Sequence, residues 1–186
     1  AADNFPEGGG TRWSLEIPFD DHKTKGLHRI MSWMTMGVFR NSLNWFYNLD
    51  YDVKAILKWC PNAAIKELYD TRNCKVGGYS IEYLPGKMFT IKDPHKHVFR
   101  FFDIAQFYGG SLDNNAKKYL GDKKIDTIDR IRLGYDSDYW QANKEDIVKY
   151  CKHDARLTAR LGGLLYQQLS DVMGFSSLRP YSTGSV

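Results

Sequence analysis

The sequence predicts a mixed α/β fold with a largely antiparallel sheet, on three observations. Three runs rich in aromatic and branched residues, Tyr79–Tyr83, Lys87–Ile91 and Val98–Phe102, are separated by the turn formers Pro85-Gly86 and Asp93-Pro94. That is the pattern of hairpin-connected strands. From Asn143 to Met173 the residues Ile147, Val148, Cys151, Leu157, Leu161, Leu164 and Leu165 recur at helical spacing, predicting one long helix with these side chains toward a core. Helical and strand-like segments are mixed along the rest of the chain, which implies helices layered on a sheet.

The other elements follow in order. Gly8-Gly9-Gly10 reads as a loop, and Thr11 to Pro18 alternates as a strand. A charged turn reaches Lys25, Leu27 to Met36 has helical character, and Ser42 to Tyr47 reads as a buried strand. Asp52 to Trp59 is expected to be a helix stopped by Pro61, followed by a second helix over Asn62 to Thr71. Ser111 to Leu120 is expected to be helical, with Ser111 as N-cap. The chain suits one domain over residues 1–173, with a Ser-, Gly- and Pro-containing linker over 174–186.

Composition narrows the function classes. With 42% hydrophobic and 26% charged residues the chain is an ordinary globular sequence. No apolar run approaches the roughly 18 residues of a membrane span, and the first ten residues do not have the pattern of a signal peptide. Cys60, Cys74 and Cys151 form no C-x-x-C pair, so reduced thiols and an intracellular location are expected, with no membrane partner. The net charge of +4 is mild, but Lys117, Lys118, Lys123, Lys124, Arg130 and Arg132 fall in one stretch with tyrosine and asparagine. Such a stretch either tracks a phosphate backbone or forms a solvated face.

Two constellations carry chemistry. Tyr47-Asn48-Leu49-Asp50-Tyr51-Asp52 lies where a predicted strand meets a helix, placing a carboxylate at a sheet edge that a hydrated cation can reach, or capping the helix. Tyr150 and Asp154 stand four residues apart in the long helix and share one face.

In this order, and separated by roughly a hundred residues, Asn-Leu-x-Tyr-Asp and Tyr-x-x-x-Asp resemble the second and third exonuclease motifs of family B DNA polymerases. The likeness is closest to the protein-primed polymerases, in which a segment similar to Phe101-Phe102-Asp103, Leu112 and Ala116-Lys117-Lys118 lies between the motifs. The resemblance covers most of Ser42 to Gly162. It implies a ribonuclease H-like fold, a mixed sheet flanked by helices, and 3′-to-5′ proofreading hydrolysis of single-stranded DNA ends. It also implies Mg²⁺ or Mn²⁺ held by Asp52 and Asp154, with Tyr150 orienting the attacking water. Tyr47, Asn48 and Tyr51 would contact the primer end, and Lys123 or Lys124 would stand near the scissile phosphate. The remainder of a polymerase polypeptide or a larger assembly is the implied partner.

The family pattern also has Asp-x-Glu on its first strand, and no such tripeptide occurs upstream of Asp52. Ser14-Leu15-Glu16 has its shape with Ser for Asp, although Thr11 to Pro18 aligns better with the family's second strand. The expectation is a fold lacking its first strand and inactive as it stands. The alternative is an exonuclease-like module, without catalysis, that serves a structural or nucleic-acid-binding role. An RNA exonuclease of the same superfamily is a third reading. Asp103 reads as a turn former or accessory carboxylate, His95 and His97 as loop residues, and His153 as a solvated helix position. Asp136 and Asp138 are placed either as caps of the long helix or just before it.

Overall fold

The computed structural model describes residues 23–173 apart from Asp126 and Gly134. The strand expected over Thr11 to Pro18 and the linker expected beyond Gly174 lie outside the described residues. The fold is α/β, and its contacts divide the chain into two compact units at Phe107 and Tyr108.

The first unit is built on a five-stranded mixed sheet. Its strands are β1 (Asn44–Phe46), β2 (Asn73–Val76), β3 (Tyr79–Leu84), β4 (Met88–Lys92) and β5 (Val98–Asp103), in the order β1-β5-β4-β3-β2. The meander is antiparallel as expected, with Ile81 opposite Ile91 and Ile91 opposite Phe99, whereas β1 runs parallel to β5 with Phe46 beside Asp103. The parallel pair brings the end of β1, where the Asn-Leu-x-Tyr-Asp segment begins, next to the end of β5.

Three helices, α1 (Lys23–Met34), α2 (Leu49–Leu57) and α3 (Asn62–Thr71), cover one sheet face. Leu27, Ile30, Met31 and Met34 recur at i, i+3, i+4 and i+7, so α1 buries one stripe. That stripe joins Leu49, Val53, Leu68, Ile81, Phe89, Ile91, Phe99 and Phe101 in a continuous core. Gly26 is small for a local reason: a Cβ there would come within 2.2 Å of the Trp59 ring.

The second unit is helical. The short α4 (Ala105–Tyr108) leads into it, followed by α5 (Leu112–Asn115), a π-helical turn (Ala116–Leu120), α6 (Arg130–Leu133), α7 (Ser137–Ala142) and α8 (Lys144–Met173). Ser111 caps α5 as expected, its Oγ accepting the Asn114 N–H at 3.2 Å. Of the two readings of Asp136, the structure has it before the long helix, where it caps α7 and accepts the Tyr139 N–H at 2.8 Å. Ile147, Leu157, Leu161 and Leu165 of α8 are buried, but Val148 and Cys151, expected in the core, are exposed. The physical reason is the helical period: Tyr150 and Asp154, both half-buried, occupy the inward stripe between Ile147 and Leu157. Among the described residues no helix is long and apolar enough to cross a membrane.

Candidate active site

In the first unit the site begins at the N-terminus of α2. Asn48 takes a left-handed conformation, φ 66°, which asparagine tolerates better than most residues, and its side chain makes no capping hydrogen bond. The capping comes from across the sheet. The Asp103 carboxylate, 3% exposed at the end of β5, accepts the backbone N–H of Asn48 at 3.0 Å, of Leu49 at 2.8 Å and of Ala105 at 2.9 Å. An anion at this position satisfies helix-end donors and complements the positive end of the helix dipole. Asp103 is therefore a turn former, through its bond to the Ala105 N–H two residues on, and also a buried structural clamp on the α2 N-terminus.

Asp50 and Asp52, two residues apart, have different environments. Asp50 Oδ1 accepts the Tyr83 hydroxyl at 2.5 Å and the Gly86 N–H at 2.6 Å, tying α2 to the β3–β4 turn. Burial and this carboxylate together push the Tyr83 phenol well above its usual range. Asp52 sits in the first turn of α2, not at its cap, and no hydrogen bond or ion pair joins its side chain to another described residue. Its carboxyl is raised to about 6, first by burial and then by the nearby Asp103 charge. Asn48 and Tyr51 are exposed, Tyr51 at 73%, and Tyr47 is half-buried.

A pH dependence follows from the raised Asp52 carboxyl. The unfolded chain ionises this group near 3.8 and the folded chain near 6, so the fold loses stability as pH rises through that window. The expected loss is about 2–3 kcal/mol, complete above the folded value. Asp52→Asn is expected to flatten this part of the stability curve in urea titrations between these two pH values. An unchanged curve would mean that Asp52 is more solvated than the structure shows.

In the second unit the site is Asp154, Lys124 and Tyr150. Loop residues 121–125 have no helical or strand pattern of their own, and side chains from both sides hold them. Asp113 of α5 accepts the Lys124 N–H at 2.9 Å, Asp122 pairs with Arg160 of α8 at 2.8 Å, and the His153 ring meets the Lys123 carbonyl at 2.7 Å. His153 is thus a loop anchor and not a purely solvated position. Held in this way, Lys124 places its ammonium on Asp154 Oδ2, and its side chain is only 12% exposed. The same ammonium lies 5.0 Å from the centre of the Tyr150 ring. Lys123 remains exposed and forms no ion pair among the described residues.

Asp154 Oδ1 is buried and without a hydrogen-bond partner. Buried charged oxygens in that condition cost several kcal/mol and call for an explanation. A hard divalent cation is the chemical partner such an oxygen fits. Asp52, with no partner and pushed toward its neutral form, is the equivalent carboxylate in the first unit. In type the donors fit Mg²⁺ or Mn²⁺; in number they fall short, because no three His, Cys, Asp or Glu side chains among the described residues gather as a metal-holding group.

The remaining candidates have structural environments. His97 pairs with Asp93 at 2.9 Å within a tight loop. Burial raises the Cys60 and Cys74 thiols to about 11, which makes both poor nucleophiles at neutral pH. No family model, curated protein or solved structure matches this chain.

Proposed function

We propose that this chain is the 3′-to-5′ exonuclease domain of a family B DNA polymerase of the protein-primed type, with a ribonuclease H-like fold, acting on single-stranded DNA ends. The observation that carries this reading is the buried, unpartnered Oδ1 of Asp154 beside the Lys124 ammonium and the Tyr150 ring. The parallel pairing of β1 with β5, which delivers Asn48, Tyr51 and Asp52 to a sheet edge, supports it from the first unit.

Each side chain has a defined role in this reading. Asp52 in the first unit and Asp154 in the second are each read as a carboxylate for Mg²⁺ or Mn²⁺, which would supply, when bound, activation of the nucleophile and stabilisation of the leaving oxygen. Tyr150 orients a water by its hydroxyl, a matter of geometry rather than charge. In this reading Lys124 meets the phosphate, supported by its ion pair with Asp154, and Lys123 does not. Tyr51 offers an exposed ring for stacking a base without regard to its identity, which suits an enzyme that accepts any mispaired terminus.

The test is shortening of a 5′-labelled single-stranded oligonucleotide with Mn²⁺. Little trimming is expected from the chain by itself, because Asp-x-Glu is missing upstream of Asp52. A 3′-to-5′ ladder is expected once a strand bearing that motif is joined upstream. Failure of both forms to trim, with oligonucleotide binding intact, would favour the binding module over the nuclease.

A further inference from the structure

The basic stretch between Lys117 and Arg132 separates into committed and uncommitted cations. Lys117 pairs with Asp113 at 2.6 Å, Lys124 with Asp154, and Arg132 with Asp136 at 2.7 Å, while Lys118 lies over the Tyr119 ring at 4.8 Å. Lys118, Lys123 and Arg130 have no carboxylate partner among the described residues, and Arg130 differs from the two lysines in its place beside Tyr150. Arg130 is exposed, and its guanidinium stands 5.7 Å from the centre of the Tyr150 ring. Contact with the ring face holds a cation in place without neutralising it, so the charge stays available to an anion. The next residues expose apolar surface in the same segment, Ile131 at 78% and Tyr135 at 75%.

We infer that α6 (Arg130–Leu133) and Tyr135 form a docking surface for single-stranded nucleic acid leading to Tyr150. Arg130 contacts a backbone phosphate and Tyr135 stacks on a base. The occupant is identified by the alternation itself. An uncommitted guanidinium and an exposed ring five residues apart in one short segment suit a chain that presents a phosphate and a π-face at every step. An acidic peptide would use the cation but leave Tyr135 and Ile131 uncovered. The inference rests on the exonuclease reading for the direction of the strand, toward Tyr150, and does not depend on catalysis for its test.

The experiment is fluorescence anisotropy of a labelled phosphorothioate oligothymidylate of about 12 nucleotides, without metal, over a series of salt concentrations. Arg130→Gln is expected to weaken binding several-fold and to reduce the salt slope by about 0.7, the loss of one phosphate contact on a single strand. Tyr135→Ala is expected to weaken binding about fivefold or more with the slope unchanged. Arg132→Gln, whose charge is already paired, is expected to change the slope by much less. All three positions are exposed, so circular dichroism of the variants should match the parent. If the parent binds and neither Arg130→Gln nor Tyr135→Ala changes affinity or slope, the strand takes another route and this inference fails while the exonuclease reading stands. If the parent does not bind at low salt, both fail.

Discussion

Asp103→Ala is expected to destabilise the sheet-based unit by about 3 kcal/mol, seen as a lower urea midpoint with little change in slope. Three backbone N–H groups, those of Asn48, Leu49 and Ala105, would lose the acceptor they have among the described residues, the Leu49 group in a buried place and the other two in part-buried ones. Each buried donor left unpaired costs about 1–3 kcal/mol. The sum is partly offset, because the carboxylate is itself costly to bury: burial raises its pKa, with the Asp50 charge adding to the effect. Asp103→Asn keeps one carbonyl oxygen and places an amide N–H₂ near a second donor, so its loss should be smaller but real. A change under about 1 kcal/mol in the alanine variant would show that the clamp is not what holds the α2 N-terminus.

The second large effect concerns Lys124 and Asp154, in stability and in activity. Lys124→Met leaves the Asp154 carboxylate, 21% exposed, without its cation, and about 2 kcal/mol of destabilisation is expected after allowing for that exposure. Asp154→Asn keeps the shape but leaves the Lys124 ammonium, 12% exposed, without its counter-ion, so a loss of similar size is expected in the same melts. In a form that trims oligonucleotides, Asp154→Asn is expected to lower the rate at least a hundredfold, the scale seen when one preorganised electrostatic group is removed from a reaction centre. A stable, fully active Asp154→Asn protein would remove Asp154 from the chemistry.

The elements that were legible in the sequence are those whose stabilising pattern is local. The β3, β4 and β5 hairpins could be read because branched and aromatic runs alternate with Pro-Gly and Asp-Pro turns, and α3 because its apolar residues lie between Pro61 and a polar stop. β2 was missed: in Asn73–Val76 only Cys74 and Val76 point inward, too few for a period to show. The short helices α6 and α7 were also missed, because four and six residues in a polar segment give less than two turns of pattern.

The site was legible in its residue types more than in its connections. Asp52, Tyr150 and Asp154 could be named from motif spacing, whereas the clamp by Asp103 joins groups 54 and 55 residues apart and leaves no local trace. The choice between Lys123 and Lys124 was open for the same reason. The Asp113 carboxylate, 11 residues earlier, accepts the Lys124 N–H, and it is Lys124 whose ammonium meets Asp154. Val148 and Cys151 show the converse error. Apolar character alone placed them in the core, but the inward stripe of α8 belongs to Tyr150 and Asp154.

The most direct measurement is paramagnetic broadening by Mn²⁺ in two-dimensional NMR spectra of the parent chain and of Asp154→Asn. Broadening is expected around Asp154, Tyr150 and Lys124 and around Asp52 in the parent, with the second-unit signals spared in the variant. No selective broadening at either carboxylate, in a protein whose spectrum is otherwise that of the folded chain, would contradict the reading of these oxygens as cation ligands and with it the exonuclease.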